Sequence, residues 1–347
     1  MSVAPGRISI TIEEMASYLV TGGAGFIGSH LVEELLRRGH QVRVADDFST
    51  GKRENIDAAL TAARESVPDL PGGAPELVTG DLADEAAARR AVEGVEFVLH
   101  QAAIPSVPRS VKDPIASNRA NIDATLNVLV AARDAGVKRV VYAGSSSAYG
   151  DTLTLPKHED MATNPLSPYA LQKLVGEQYM TMFTRLYGLE TVTIRYFNVF
   201  GPRQDPGSAY SGVISRFLLA LTAGEPPVIF GDGEQTRDFT YVANVVDGVL
   251  RAAEASEASG EVINVATGGR ISLNELLRTL QRLTGDTGAA RYEPTRAGDV
   301  RDSQANIAKA ERLLGYRPLV LLDDGLRRTL EWFQQKPEAI ADAVGGA

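Results

Sequence analysis

The 347-residue chain has no cysteine and only four histidines. Without thiols there is no disulfide framework, no thiolate nucleophile and no cysteine-ligated metal. His30, His40, His100 and His158 stand far apart in the chain, none at i,i+4 spacing, so no metal site of the usual pattern is expected. Long apolar runs are missing too. None approaches the roughly 20 residues that span a bilayer, and Glu13 and Glu14 fall where a signal peptide would need an unbroken apolar stretch. No membrane association is expected, and the chain reads as cytoplasmic. Positive charge is in deficit: 35 Lys and Arg face 44 Asp and Glu, a net charge of -9. The cations are scattered, so a nucleic-acid backbone would be repelled on balance. What is present is a 44% hydrophobic content spread over enough residues to bury a large core, or two lobes, with no crosslink or metal.

Short β-branched runs alternate with longer amphipathic stretches, the pattern of a parallel sheet covered by helices on both faces. Strands are predicted at 17–20, 41–45, 76–79, 97–101, 139–143 and 191–196, and helices at 26–38, 84–92, 115–135 and 168–187. The Pro- and Gly-rich segment 66–75 reads as a surface loop. This is an α/β chain with a doubly wound parallel sheet. After Asn198 the rhythm changes, with Gly201, Pro202, Pro206, Gly207, Pro226 and Pro227 punctuating shorter elements, and a second, smaller lobe is the simplest account.

Gly22, Gly25 and Gly28 lie between the first strand and the helix that opens at Phe26 and Ile27. The turn there needs backbone freedom, and a side chain would hold a pyrophosphate away from the helix amides. Asp46 and Asp47 end the next strand at about the 20-residue offset expected of a ribose-binding carboxylate. Such a carboxylate repels a 2′-phosphate and favours NAD over NADP, against which stand only the neighbouring Lys52 and Arg53. Further on, Ser167 and Pro168 suit a helix start, which places Tyr169 and Lys173 one turn apart on one face. A phenol with an ordinary pKa near 10 becomes a usable base when cations favour its phenolate. The pair also fits an ordinary surface contact. Ser145, Ser146 and Ser147 follow the fifth strand at the sheet edge where ligands of this architecture bind. They also fit a simple polar turn.

Taken together, the glycine turn, the serine cluster, Tyr169 and Lys173 resemble the extended short-chain dehydrogenase/reductase family, over about residues 17–330. Within it, SVPRS (106–110), SSSAYGD (145–151), LSPY (166–169) and RQDP (203–206) are most similar to bacterial UDP-N-acetylglucosamine 4-epimerases. The resemblance implies a Rossmann-type domain, 1–197 plus about 236–268, and a C-terminal α/β substrate lobe, 198–235 plus 269–347. It implies that Tyr169 is the catalytic base, that Lys173 orients the nicotinamide ribose and lowers the tyrosine pKa, and that Ser145 bonds the sugar 4-oxygen. NAD contacts are implied at Gly22, Gly25, Phe26, Ile27, Gly28, Asp46 and Asp47, at Asp81 and Leu82 beside adenine, at Gln101, Ala102 and Ala103, and at Asn121 and Tyr196. Sugar contacts fall at Ser106 and Ser145 to Ser147, and those of the nucleotide half at Asn198, Val213, Val228, Phe230, Arg237, Arg296 and Asp299.

Relatives that dehydrate or decarboxylate carry an acid two positions before the tyrosine that matches Tyr149; here Ser147 stands there, a far weaker proton acceptor. Ser303 matches a gate position, where a small residue admits an N-acetyl group and a tyrosine excludes it. The resemblance therefore implies interconversion of UDP-N-acetylglucosamine and UDP-N-acetylgalactosamine, with UDP-glucose and UDP-galactose as further substrates, in a homodimer built on the helices near 115–135 and 168–187. An epimerase for UDP-glucuronate or its N-acetyl relative, with Arg109 facing the carboxylate, is the nearer alternative; a non-catalytic dinucleotide sensor is the more distant one.

Overall fold

The computed structural model describes residues 15–205, 212–295 and 300–335. Its first half alternates strictly: β1 (Ser17–Thr21), α1 (Phe26–Arg37), β2 (Gln41–Asp46), α2 (Arg53–Ser66), β3 (Glu76–Thr79), α3 (Glu85–Val92) and β4 (Phe97–His100). Then come α4 (Val107–Lys112), α5 (Pro114–Asn118), a π-helical turn at Arg119–Asp123, α6 (Ala124–Ala135), β5 (Arg139–Ser145), a short turn of 3-10 helix at Ser146–Tyr149, α7 (Pro168–Tyr187) and β6 (Glu190–Tyr196). The remaining elements are shorter: β7 (Val199–Phe200), α8 (Val213–Ala223), β8 (Val228–Phe230), β9 (Thr236–Arg237), β10 (Thr240–Tyr241), α9 (Val242–Glu254), β11 (Val262–Val265), β12 (Ile271–Ser272), α10 (Leu273–Thr284), β13 (Arg291–Glu293), α11 (Ala308–Leu314) and α12 (Leu322–Gln334).

Seven strands form one parallel sheet in the order β11-β6-β5-β4-β1-β2-β3. The chain starts in the middle, runs outward through β2 and β3, then returns to the other side of β1 with β4. That reversal opens a crevice beyond the carboxyl ends of β1 and β4, where ligands of doubly wound sheets bind. Strand interiors such as Leu19, Val20, Val98, Leu99, Val140 and Val141 are fully buried, as expected of strands covered on both faces. Three two-stranded ribbons, β10-β7, β12-β9 and β13-β8, lie outside the main sheet. Among the described residues no helix is long and apolar enough to cross a membrane, and no group of His, Asp and Glu could hold a metal ion.

The single helix expected over 115–135 needs correction. Asp113 caps a helix that begins at Pro114, accepting from the Ala116 amide at 3.0 Å, and the helical path widens into a π turn over Arg119–Asp123 before α6. The wide turn falls where the Asn121 side chain is bound inward, and π turns of this kind cluster at functional sites. Helix α2 has no counterpart among the expected elements, and neither does β11, which pairs with β6 across an excursion of more than 60 residues.

Candidate active site

Gly22 follows β1 with φ +65, and a side chain there would meet the Ala102 backbone nitrogen at 2.8 Å. The close approach binds the glycine turn to the exit of β4. Thr21, just before it, accepts the Gln101 and Ala102 amides on Oγ1, each at 3.1 Å. With its lone pairs so used, the Thr21 hydroxyl donates to His100 Nδ1 at 2.7 Å, which leaves Nε2–H to donate to Thr125 Oγ1 at 3.0 Å. His100 is thereby held neutral in the core, and burial lowers its pKa to about 3.

Helix α1 opens at Phe26 behind Gly25 with no side-chain cap, so its first amides face the crevice mouth as an anion site would require. Asp46 ends β2 buried, its two oxygens accepting the Ala24 and Phe48 amides at 2.9 Å each, while Asp47 points outward and bonds Ser49. Burial raises the Asp46 pKa and the two amide bonds oppose that rise. Lys52 is paired with Asp205 at 3.0 Å, and the Arg53 guanidinium lies 5.3 Å from the Phe48 ring centre. Both cations that could have favoured a 2′-phosphate are thus engaged elsewhere. Gln101 presents a buried Nε2 with no partner among the described residues. An uncapped helix start, a buried carboxylate with spare lone pairs and an orphaned amide suit a dinucleotide, its pyrophosphate on α1 and its ribose on Asp46. Asp81 lies exposed, 2.8 Å from Arg119, and Leu82 is buried beside it.

The catalytic candidates meet across β5, β6 and α7. Ser145 and Tyr196 are register partners at the strand ends, and Tyr196 Oη donates to Gln101 Oε1 at 2.8 Å. The Ser145 side chain lies 2.8 Å from Ser147 Oγ and beside the Tyr169 phenol. Burial pushes the Tyr169 phenol up from its ordinary value, and the Ser145 hydroxyl works against that rise. Lys173 is buried one turn along α7, and burial lowers its pKa to about 7. These groups form one connected surface, from the glycine turn through Ala102, Gln101, Tyr196 and Ser145 to Tyr169.

The start of α7 is held from two sides. Pro168 has no amide to satisfy; Tyr169 N donates to Ser110 Oγ at 3.0 Å and Ala170 N to Ser167 Oγ at 3.2 Å. Ser110 was not singled out from sequence, although it closes the SVPRS string. Ser106, at the other end of that string, is buried and caps α4 by accepting the Arg109 amide. Asn121 has its side chain engaged inside the protein, accepting Ile104 N at 2.8 Å and donating to Gln172 Oε1 at 2.8 Å. It braces the 101–104 loop against α7. Gln172 carried no sequence signal of its own. Behind the site, Glu177 and Arg195 form a buried pair at 2.6 and 2.8 Å, with the Arg195 guanidinium 4.4 Å from the Tyr149 ring centre. That contact links α7 to the end of the serine turn.

On the second side of the crevice, Asn198 adopts φ +34 and donates to Asp238 O at 3.0 Å. Val213 opens α8. Val228 and Phe230 share one side of β8, both half-buried, while Ile229 between them faces the core. Arg237 on β9 donates to the Thr236 and Arg301 carbonyls. Ser303 is 6% exposed, so a solvent-facing serine is excluded, and its amide donates to Thr236 O. Arg296 and Asp299 lie outside the described residues.

The model of the NAD dependent epimerase/dehydratase family matches residues 18–266. The UDP-glucose 4-epimerase of Mycolicibacterium smegmatis is 40% identical over 322 residues, covering 92% of this chain and 99% of its own. A UDP-glucuronate 4-epimerase of Thermodesulfobacterium geofontis is 34% identical over 331 residues, covering 94% and 98%. The solved UDP-N-acetylglucosamine 4-epimerase from Methanobrevibacter ruminantium M1, in complex with UDP-N-acetylmuramic acid, superposes with a TM-score of 0.86 at 36% identity, covering 93% of this chain and all of that one. By its glycine turn, its sheet order and these similarities, the chain belongs to the NAD-dependent epimerase/dehydratase family.

Proposed function

We propose that the protein is a UDP-sugar 4-epimerase that interconverts UDP-N-acetylglucosamine and UDP-N-acetylgalactosamine in the cytoplasm, and UDP-glucose and UDP-galactose as further substrates. The observation that carries this reading is the Tyr169 phenol beside the Ser145 hydroxyl, one turn from buried Lys173, at the mouth of the dinucleotide crevice. Bound NAD supplies an acceptor that takes hydride from the sugar carbon and returns it. Tyr169 takes the 4-hydroxyl proton through its phenolate and later gives it back. Ser145 holds the 4-oxygen in reach of that phenol, and Ser147, bonded to Ser145, keeps the hydroxyl pair aligned. A 4-keto sugar that turns over between the two transfers accounts for inversion with no second base. An acid at position 147 would be needed to assist elimination or decarboxylation, and a serine does not supply it.

In this reading residues 1–197 and about 236–268 hold NAD, and 198–235 with 269–347 hold the nucleotide, Phe230 against uracil and Arg237 and Arg296 on the diphosphate. Small, buried Ser303 leaves room for an N-acetyl group. A homodimer through the helices near 115–135 and 168–187 fits the exposed apolar side chains Ile115 on α5 and Leu171, Met182 and Leu186 on α7.

Incubation with UDP-N-acetylglucosamine, UDP-glucose and UDP-glucuronate in parallel, followed by the anomeric proton signal, tests the proposal. Galacto-configured product from the first two supports it. Product from the uronate alone moves the assignment to the carboxylated substrates, and no product from any refutes it. Ser303→Tyr should abolish turnover of the N-acetylated pair and spare UDP-glucose; unchanged N-acetylhexosamine turnover would remove the gate.

A further inference from the structure

Lys173 is 4% exposed, and among the described residues it enters no ion pair. The groups that face it come from three elements. On its own helix are Tyr169 and, one turn further, Glu177, which is already bound by both nitrogens of the Arg195 fork from β6. From β4 comes His100, kept neutral by the two threonines that flank it. From β5 comes Tyr142, fully buried, with its ring centre 4.9 Å from Lys173 Nζ. Two features hold that ring in place. His100, its register partner on β4, stacks on it at 5.7 Å. Gly176 leaves open the space into which the Tyr142 hydroxyl projects, since a Cβ there would come within 2.3 Å of Oη.

We propose that Tyr142 is the positioning residue for Lys173, its ring face holding the buried ammonium in its charged form and aimed into the crevice. The ring quadrupole attracts a cation over its face, and the attraction grows once both are removed from water. A carboxylate in the same place would bind the ammonium too firmly for it to serve a ribose and a phenol. An aliphatic side chain would leave a buried charge with nothing to offset its desolvation. The proposal rests on the part given to Lys173 above.

The test uses Tyr142→Phe, which keeps the ring, and Tyr142→Leu, which removes it, with Tyr142→Met as the bulkier aliphatic variant should leucine fail to fold. Trace acetylation of the purified protein across a pH series, read at Lys173 by mass spectrometry, reports the titration of the amine without substrate. In the aliphatic variant the midpoint should fall by about one pH unit, and kcat at neutral pH by about tenfold, with KM changed less than twofold. Tyr142→Phe should restore both. An unmoved midpoint in the aliphatic variants, or equal losses in Tyr142→Phe, would overturn the proposal. A midpoint that moves while kcat does not would uphold the ring contact and refute instead the part given to Lys173 in the reaction.

Discussion

Gly28→Ala probes the join between the glycine turn and α1. An ideal Cβ at position 28 would stand 2.1 Å from Gly22 O and 2.8 Å from both the Gly22 carbonyl carbon and Gly23 Cα. Ordinary carbon contacts begin near ~3.5 Å, so the backbone must separate by about 1 Å. Gly22 itself sits against the Ala102 backbone, where even a Cβ would stand 2.8 Å from the Ala102 nitrogen, and has little room to retreat. The helix must therefore move out, at a cost of about 1–3 kcal/mol. Its first amides then leave the place proposed for the pyrophosphate, and a displacement of that size costs on the order of a hundredfold in function. Gly25→Ala is the control: its Cβ would meet only Gly22 O, at 3.1 Å, which a shift of a few tenths of an ångström relieves. Thermal melts and NAD titrations of both variants check the reasoning. Gly28→Ala should lose both stability and affinity, and Gly25→Ala mainly affinity. A Gly28→Ala protein with the melting temperature and NAD affinity of the wild type would refute it.

Tyr169→Phe should keep its NAD, measured by cofactor extraction, and lose about 10²–10⁴ in kcat, the range of a lost acid-base group; retention of full turnover would exclude Tyr169 as the base. Glu177→Ala leaves the Arg195 charge buried without its partner and should cost about 3–5 kcal/mol in a urea titration, so a loss below about 1 kcal/mol would show that water reaches the guanidinium. His100 should make the protein acid-sensitive: the unfolded chain takes up a proton near pH 6.5, and the native core refuses it until about pH 3. Stability contributed by the neutral ring is complete above pH 6.5 and falls as pH drops through that window. His100→Gln should flatten the dependence of melting temperature on pH between about 6.5 and 4, and an identical slope in that variant would assign the acid sensitivity to other groups.

The two strands that carry the glycine turn and Asp46, and the helix that carries Tyr169 and Lys173, were readable because their signals are local. Apolar runs, a glycine spacing, and a Ser-Pro pair before a helix each act within a few residues, and α7 occupies the very range its periodicity predicts, 168–187. Periodicity states which face of an element is buried and is silent on what covers it. Whether β11 would join β6 depends on a partner some 70 residues away. That Ser110 would hold the Tyr169 amide, that Asn121 would turn inward at a π turn to brace the 101–104 loop, and that Tyr142 would meet Lys173 depend likewise on separations of 17 to 59 residues in the chain. Local chemistry along the chain thus settled the type of the elements that carry the glycine turn, Asp46 and the Tyr169–Lys173 pair. The environment of each catalytic group, including the burial that lowers the Lys173 pKa and raises that of Tyr169, came into being only when remote segments packed and water was excluded.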